Sequence, residues 1–188
     1  METPTPEPPD AQASPHFTLS RRLRLMIGLL ILLLLMSILL ALASNKLQIE
    51  EVISDSMDPT LVVGDRLISD ANAMPDRYQV ICFNSPEDPD EKLVKRIIGV
   101  PGDVIRIRDG SLYINGKEET STQIRDNQIQ WRDIKVTVPR DGLFVLGDNR
   151  NNSHDSLNFG TVPYKNIRGV ATLIIWPPSH WGRPKALH

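Results

Sequence analysis

Hydrophobic residues follow two different patterns along this chain. Between Leu25 and Ala43 they are continuous, LMIGLLILLLLMSILLALA, broken only by Gly28 and Ser37 and free of charge. A helix of that length measures about 28 Å, close to the roughly 30 Å hydrocarbon core of a bilayer. The run predicts a transmembrane anchor over residues 21–45. Arg21, Arg22 and Arg24 stand just before it. By the positive-inside rule the N-terminus is expected to stay cytoplasmic, or stromal, with everything after the run across the membrane. A cleavable signal peptide is the competing reading, since Ala41-Leu42-Ala43 has the small-x-small form of a cleavage site. The run is longer than the usual apolar region of about 7–15 residues, which favours an uncleaved anchor.

From Lys46 onward the apolar residues come in short bursts between turn signals, the mark of strands rather than of helices. Strands are expected at Arg66–Ser69, Tyr78–Phe83, Leu93–Ile98, Val104–Arg108, Leu112–Asn115, Ile134–Val138, Leu143–Leu146 and Ala171–Trp176. Asp109-Gly110 predicts a tight hairpin, because such a turn needs positive φ. Gly99-Val100-Pro101-Gly102-Asp103 predicts a sharp turn, and Thr120–Asp133 is polar and without pattern. The fold class that follows is mainly antiparallel β: one domain over 46–188 behind a single apolar helix.

Composition changes this picture in three places. Five prolines (Pro4, Pro6, Pro8, Pro9, Pro15) and almost no apolar pattern in the first 20 positions predict a disordered tail at 1–20. Charge is nearly even, 21 Lys+Arg against 23 Asp+Glu, which argues against a broad basic surface and hence against a nucleic-acid partner. A single cysteine, Cys82, excludes an internal disulfide framework and a multi-thiolate zinc site. No metal and no cofactor is expected.

Three clusters carry candidate chemistry. Ser54-Asp55-Ser56-Met57-Asp58-Pro59-Thr60-Leu61, with Gly64-Asp65 after it, places a serine in a proline-fixed turn; the same residues also suit a plain turn. In Lys92–Ile98, strand alternation sets Leu93, Lys95 and Ile97 on one face and Val94, Arg96 and Ile98 on the other. If the first face packs inward, the Lys95 amine is desolvated and its pKa falls; otherwise it snorkels to water. Gly147–Ser156, GDNRNNSHDS, reads either as a solvated loop or as a hydrogen-bonded wall. His154 also leaves open a triad with Ser56 and a distant aspartate, beside the alternative of serine with a lysine base. Trp176, Pro177, Pro178 and Trp181 suit either an interfacial patch or ordinary packing.

Together SDSMDPTLVVGD (Ser54–Asp65), KRIIGVPGD (Lys95–Asp103) and GDNRNNSHDS, in that order after an N-terminal anchor, resemble type I signal peptidase, the membrane-bound leader peptidase of bacteria and plastids. The resemblance runs from about residue 20 to 176. It implies a serine endopeptidase that removes signal peptides, cutting after small residues as in Ala-x-Ala. Residue by residue it implies Ser56 as nucleophile and Lys95 as general base. Ser54 would join the Ser56 backbone N–H in the oxyanion hole, and Ser153 would orient the lysine amine. Asp148, Asn149, Arg150 and Asp155 would form the supporting wall. The implied partners are signal peptides of preproteins and the lipid bilayer, near the export machinery, at a plasma or thylakoid membrane.

Two departures stand out. Leu157 occupies a position where the family commonly has an arginine, so the salt bridge expected from it must be absent or supplied by Arg150 or Arg168. Asp55 stands where a glycine is common and adds a charge beside the nucleophile. A repressor-type autoprotease and an idle preprotein-binding domain remain as rival functions.

Overall fold

The computed structural model describes residues 20–43, 46–120, 129 and 133–184. They divide into two compact units, with the boundary between Leu40 and Ala41. The expected disordered tail, apart from Ser20, and most of the patternless Thr120–Asp133 stretch lie outside the described residues, as do 44 and 45 of the expected anchor.

The first unit is built on helix α1 (Arg21–Ala43), which opens on Ser20: the Leu23 N–H donates to Ser20 Oγ at 3.3 Å. Leucines all around it are exposed, so it has no polar face to turn toward water. It is long and apolar enough to cross a membrane.

The second unit is mostly strand. In chain order it contains β1 (Leu47–Glu51), β2 (Arg66–Asp70), β3 (Val80–Asn84), β4 (Lys92–Gly99), β5 (Val104–Arg108) and β6 (Ser111–Ile114). Then follow β7 (Lys117–Glu118), β8 (Ile134–Thr137), β9 (Gly142–Leu146), the one-turn helix α2 (Ser156–Phe159), β10 (Val162–Pro163) and β11 (Ile167–Trp176). Seven strands form a sheet in the order β1-β2-β11-β3-β4-β9-β10, and four form a second in the order β7-β6-β5-β8. All of the strand pairings are antiparallel, the mainly β architecture that the alternation predicts.

The second sheet shows why. Ile105, Ile107, Leu112 and Ile114 alternate with polar residues and pack against Ile98, Phe144 and Leu146 of the larger sheet. Arg108 pairs with Ser111 across Asp109 and Gly110, whose φ values are 51° and 80°, the two-residue hairpin expected there.

Several strands differ from expectation in their limits, most by a single residue, and some were not expected at all. Tyr78 takes φ 68°, so β3 starts at Val80 and not at Tyr78. Asn115 also has positive φ and turns the chain with Gly116 toward β7 instead of extending β6. β11 begins at Ile167, four residues earlier than Ala171, because register shifts carry the strand past Arg168 and Gly169. Strand β1 was missed, since three of its five residues are polar and it lies at the sheet edge.

β4 runs between β3 and β9, and both of its faces are covered. Ile97 and Leu93 pack with Ile81, Phe83 and Val145, whereas Val94 packs with Met57, Leu61, Leu67 and Val80. This is the setting for the buried Lys95.

Candidate active site

Residues 52–65 form a loop that leaves β1 and returns to β2, closed on itself at the base. The Val52 N–H donates to Asp65 O at 2.8 Å and the Gly64 N–H to Val52 O at 2.9 Å. Asp65 is fully buried and accepts from the Val62 N–H at 2.9 Å and from His180 Nδ1 at 3.1 Å. Val52, Met57 and Leu61 anchor the loop in the core, so Ser56, between Val52 and Met57 and next to the latter, has little freedom.

Ser56 and Lys95 meet. The lysine Nζ lies 2.8 Å from Ser56 Oγ and 3.1 Å from the Val94 carbonyl oxygen, and the residue is 2% exposed. Burial lowers the Lys95 pKa from 10.5 to about 8, against the opposing pull of the Asp155, Glu91 and Asp148 carboxylates. Once deprotonated, the amine can give one N–H to Val94 O and turn its lone pair to the serine O–H. Ser54 Oγ sits 3.2 Å from Ser56 Oγ, in the same turn. The Ser56 N–H gives no hydrogen bond to any described residue.

These groups line a cavity of about 760 Å³ that also takes in Ile53, Leu93, Asn152 and Ser153. Ser153 Oγ is buried and without a hydrogen-bond partner; it shares the cavity with Lys95 but is not bonded to it. A Cβ at Gly147 would fall on Ser153 Oγ and lie 2.5 Å from the Ser56 carbonyl oxygen. Only glycine lets the third motif come this close to the Ser56 loop.

The third motif is not a solvated loop. Asp148, Arg150, Asp155 and Ser156 are all buried. Asp155 accepts from the Gly147 N–H at 3.0 Å and the Leu157 N–H at 3.1 Å, capping α2 in a box with Asn158. Leu157 itself packs against the core cluster that contains Ile98 and Phe144. The carboxylate therefore meets backbone donors where the family commonly has an arginine. Arg168 is no substitute: it pairs with Glu50 at 2.8 Å and bonds Gln48. Arg150 is buried near Asp148 and Asp155, whose charges oppose the downward push of burial on its pKa, and its Nε donates to Gly147 O at 3.1 Å.

The Asp55 carboxylate is engaged by the third motif. Asn152 Nδ2 donates to both carboxylate oxygens, at 3.1 and 3.0 Å. Asn149 donates from its backbone N–H to Ser56 O at 3.0 Å and from Nδ2 to Asp55 O at 3.2 Å. His154 does not join Ser56 in a triad; its Nε2 lies 2.8 Å from Glu87 Oε2.

Sequence reasoning missed one central residue, Arg96. Fully buried, its guanidinium donates to both oxygens of Asp148 at 2.8 and 2.6 Å, to Thr60 Oγ1 at 3.1 Å and to Tyr78 O at 2.6 Å. One side chain of the second motif thus ties the first motif to the third. The signal was its place beside Lys95 in a strand with two covered faces.

The family model for signal peptidase, peptidase S26, matches residues 22–176. The chain belongs to that family. Signal peptidase I of Leptolyngbya laminosa is 35% identical over 193 residues, 96% of this chain and 94% of that one. Probable signal peptidase I-2 of a Synechocystis strain is 39% identical over 137 residues, 66% of this chain and 61% of that protein. Probable thylakoidal processing peptidase 2 of Arabidopsis thaliana is 36% identical over 137 residues, 67% of this chain and 37% of its own length. As a member of the signal peptidase family this chain is a serine peptidase, a hydrolase that acts on the signal peptides of preproteins.

Proposed function

We propose that this signal peptidase works through a Ser56/Lys95 dyad and cuts after small residues of the Ala-x-Ala type. The contact of 2.8 Å between Lys95 Nζ and Ser56 Oγ inside a lined cavity carries the reading. Neutral Nζ takes the hydroxyl proton as Oγ attacks the scissile carbonyl carbon. The carbonyl oxygen becomes an oxyanion, received by the Ser56 N–H and the Ser54 hydroxyl. Collapse breaks the C–N bond, the Lys95 ammonium protonates the departing amine, and an ester to Ser56 remains. Water then attacks that ester, with Lys95 taking its proton; the ammonium returns a proton to Ser56 Oγ as the C–O bond breaks, and the cleaved signal peptide leaves. Ser153, facing the same cavity with an unpartnered hydroxyl, is the group to orient the amine. Asp148, Asn149, Arg150 and Asp155 hold the wall behind it.

Helix α1 anchors the enzyme as a single pass, with Arg21, Arg22 and Arg24 on the cytoplasmic or stromal side and the β unit opposite, near the export machinery. Relatives from bacteria and from chloroplasts suit a plasma or a thylakoid membrane. Trp176 and Trp181 are 54% and 68% exposed, which favours contact with lipid headgroups over core packing. The deciding experiment is cleavage of a preprotein with an Ala-x-Ala site by the full chain in detergent, beside Ser56→Ala and Lys95→Ala. Both variants should fold and lose cleavage. Retained cleavage in either refutes the dyad.

A further inference from the structure

We infer that Asn149 is a positioning residue for the oxyanion site: it sets the direction of the Ser56 N–H by holding the carbonyl on the other side of the same peptide bond. The inference rests on Ser56 being the nucleophile.

The Asp55–Ser56 peptide is trans, so its C=O and its N–H point in opposite directions. Asn149 Nδ2 donates to Asp55 O at 3.2 Å, which fixes the Ser56 N–H as pointing away from the third motif. The Asp58 N–H shares that carbonyl at 3.0 Å. The following peptide is held as well, because the Asn149 backbone N–H donates to Ser56 O at 3.0 Å. Asn149 therefore grips the peptide groups on both sides of the nucleophile. Its own position is fixed by the Asn152 N–H, which donates to Asn149 O at 3.0 Å, and by the neighbouring Asp148–Arg96 pair.

The Ser56 N–H meets no acceptor among the described residues. A donor kept aimed and empty is useful only to charge that develops during reaction, and one such donor is typically worth about 100-fold to 1,000-fold in kcat. The turn bond from Asp58 still holds the carbonyl when the Asn149 side chain is removed. The expected loss is therefore smaller, about tenfold to a hundredfold, in kcat and not in KM.

The test compares wild type, Asn149→Ala, Asn149→Asp and Ser56→Ala as full chains in detergent on an Ala-x-Ala preprotein. Binding of a peptide aldehyde of the same cleavage sequence is measured beside them. The alanine variant loses only the side-chain bond; the aspartate variant turns an oxygen against Asp55 O while keeping size and backbone bond. Both should lower kcat at least tenfold with KM within about twofold, and in the uncharged alanine variant the acid limb of the pH profile should stay unmoved. Affinity for the aldehyde, whose adduct carries the tetrahedral oxygen, should fall in step with kcat/KM. A wild-type kcat, an equal rise in KM, or an acid limb displaced in Asn149→Ala overturns the inference, the last because it would mean action through Lys95. Asn149 is half-buried, so the alanine variant is expected to fold and decides the matter if the aspartate variant does not. Should Ser56→Ala still cleave, the dyad fails instead; an inactive Ser56→Ala beside a fully active Asn149→Ala removes this inference alone.

Discussion

Replacing Lys95 by methionine should abolish cleavage and yet stabilise the protein at neutral pH. The Lys95 pKa is lowered from 10.5 to about 8 by burial. That difference is worth about 3 kcal/mol against the folded state wherever both states hold the proton. Methionine fills nearly the same space without the charge. It gives up the contacts to Ser56 Oγ and Val94 O, each worth about 1 kcal/mol net. The balance is a gain of about 1–2 kcal/mol at pH 7, or a melting temperature higher by about 3–6 °C. The sign then depends on pH in a definite way. Below about pH 8 folded and unfolded chains both carry the ammonium, and the wild type bears the full penalty. Between about 8 and 10.5 the folded form has lost its proton and the unfolded form has not, so the penalty fades as pH rises. The advantage of Lys95→Met should be present at pH 7 and gone near pH 10. Thermal unfolding of both full chains in the same detergent measures it, and the difference between them cancels other groups that titrate in this range. A variant less stable than wild type by the same amount at both pH values would refute the reasoning, because Lys95 would then be a charge that the fold welcomes.

Three further outcomes follow from the site. The kcat/KM of the wild type should climb about tenfold per pH unit up to a midpoint near 8 and level above it, since only the neutral amine accepts a proton; a flat profile from pH 6 to 9 would exclude Lys95 as base. Ser54→Ala should lower kcat by one to three orders of magnitude with little change in KM, as for a donor used mainly in the transition state, and a pure KM effect would rule that role out. Gly147→Ala should cost at least tenfold in activity and about 1–3 kcal/mol in stability, because the added methyl meets the Ser56 carbonyl and the Ser153 hydroxyl; wild-type values for both would show that the third motif has slack.

Much of the fold was legible because alternation and turn chemistry act locally. The Asp109-Gly110 hairpin and the strands around it needed nothing beyond their own residues. Where limits failed, a non-local contact decided. Tyr78 turns out of the strand, and its carbonyl receives the Arg96 guanidinium from β4. β1 is a strand because it pairs with β2, while its own residues LQIEE read as surface. The site was legible as three motifs but not as one structure. A polar run such as GDNRNNSHDS suggests solvent, and only the partners show otherwise: Arg96 for Asp148, backbone N–H groups for Asp155, Asn152 for Asp55. Whether Lys95 snorkels or is buried was undecidable for the same reason, since both faces of β4 carry aliphatic residues and both are covered.

The charges around Lys95 explain why a lysine can act as base here at all. The buried groups beside it are two arginines, Arg96 and Arg150, and two aspartates, Asp148 and Asp155. Arg96 engages both oxygens of Asp148. Asp155 has its oxygens on backbone N–H groups, and Arg150 lies close enough to both carboxylates to feel them. These four charges balance, so a protonated Lys95 would be a fifth and unbalanced charge at a position that burial strips of most of its water. An unbalanced buried charge is relieved most readily by the group that can shed a proton, and an arginine cannot do so at ordinary pH. The proton is therefore shed from Lys95 near pH 8 and not near 10.5, because burial outweighs the pull of the Asp155, Glu91 and Asp148 carboxylates that would keep it. By this reasoning the leucine at position 157 is no defect. With Asp155 neutralised by backbone donors and Arg150, an additional arginine at 157 would bring a sixth charge into this balance, and Leu157 fills its place in the core with none.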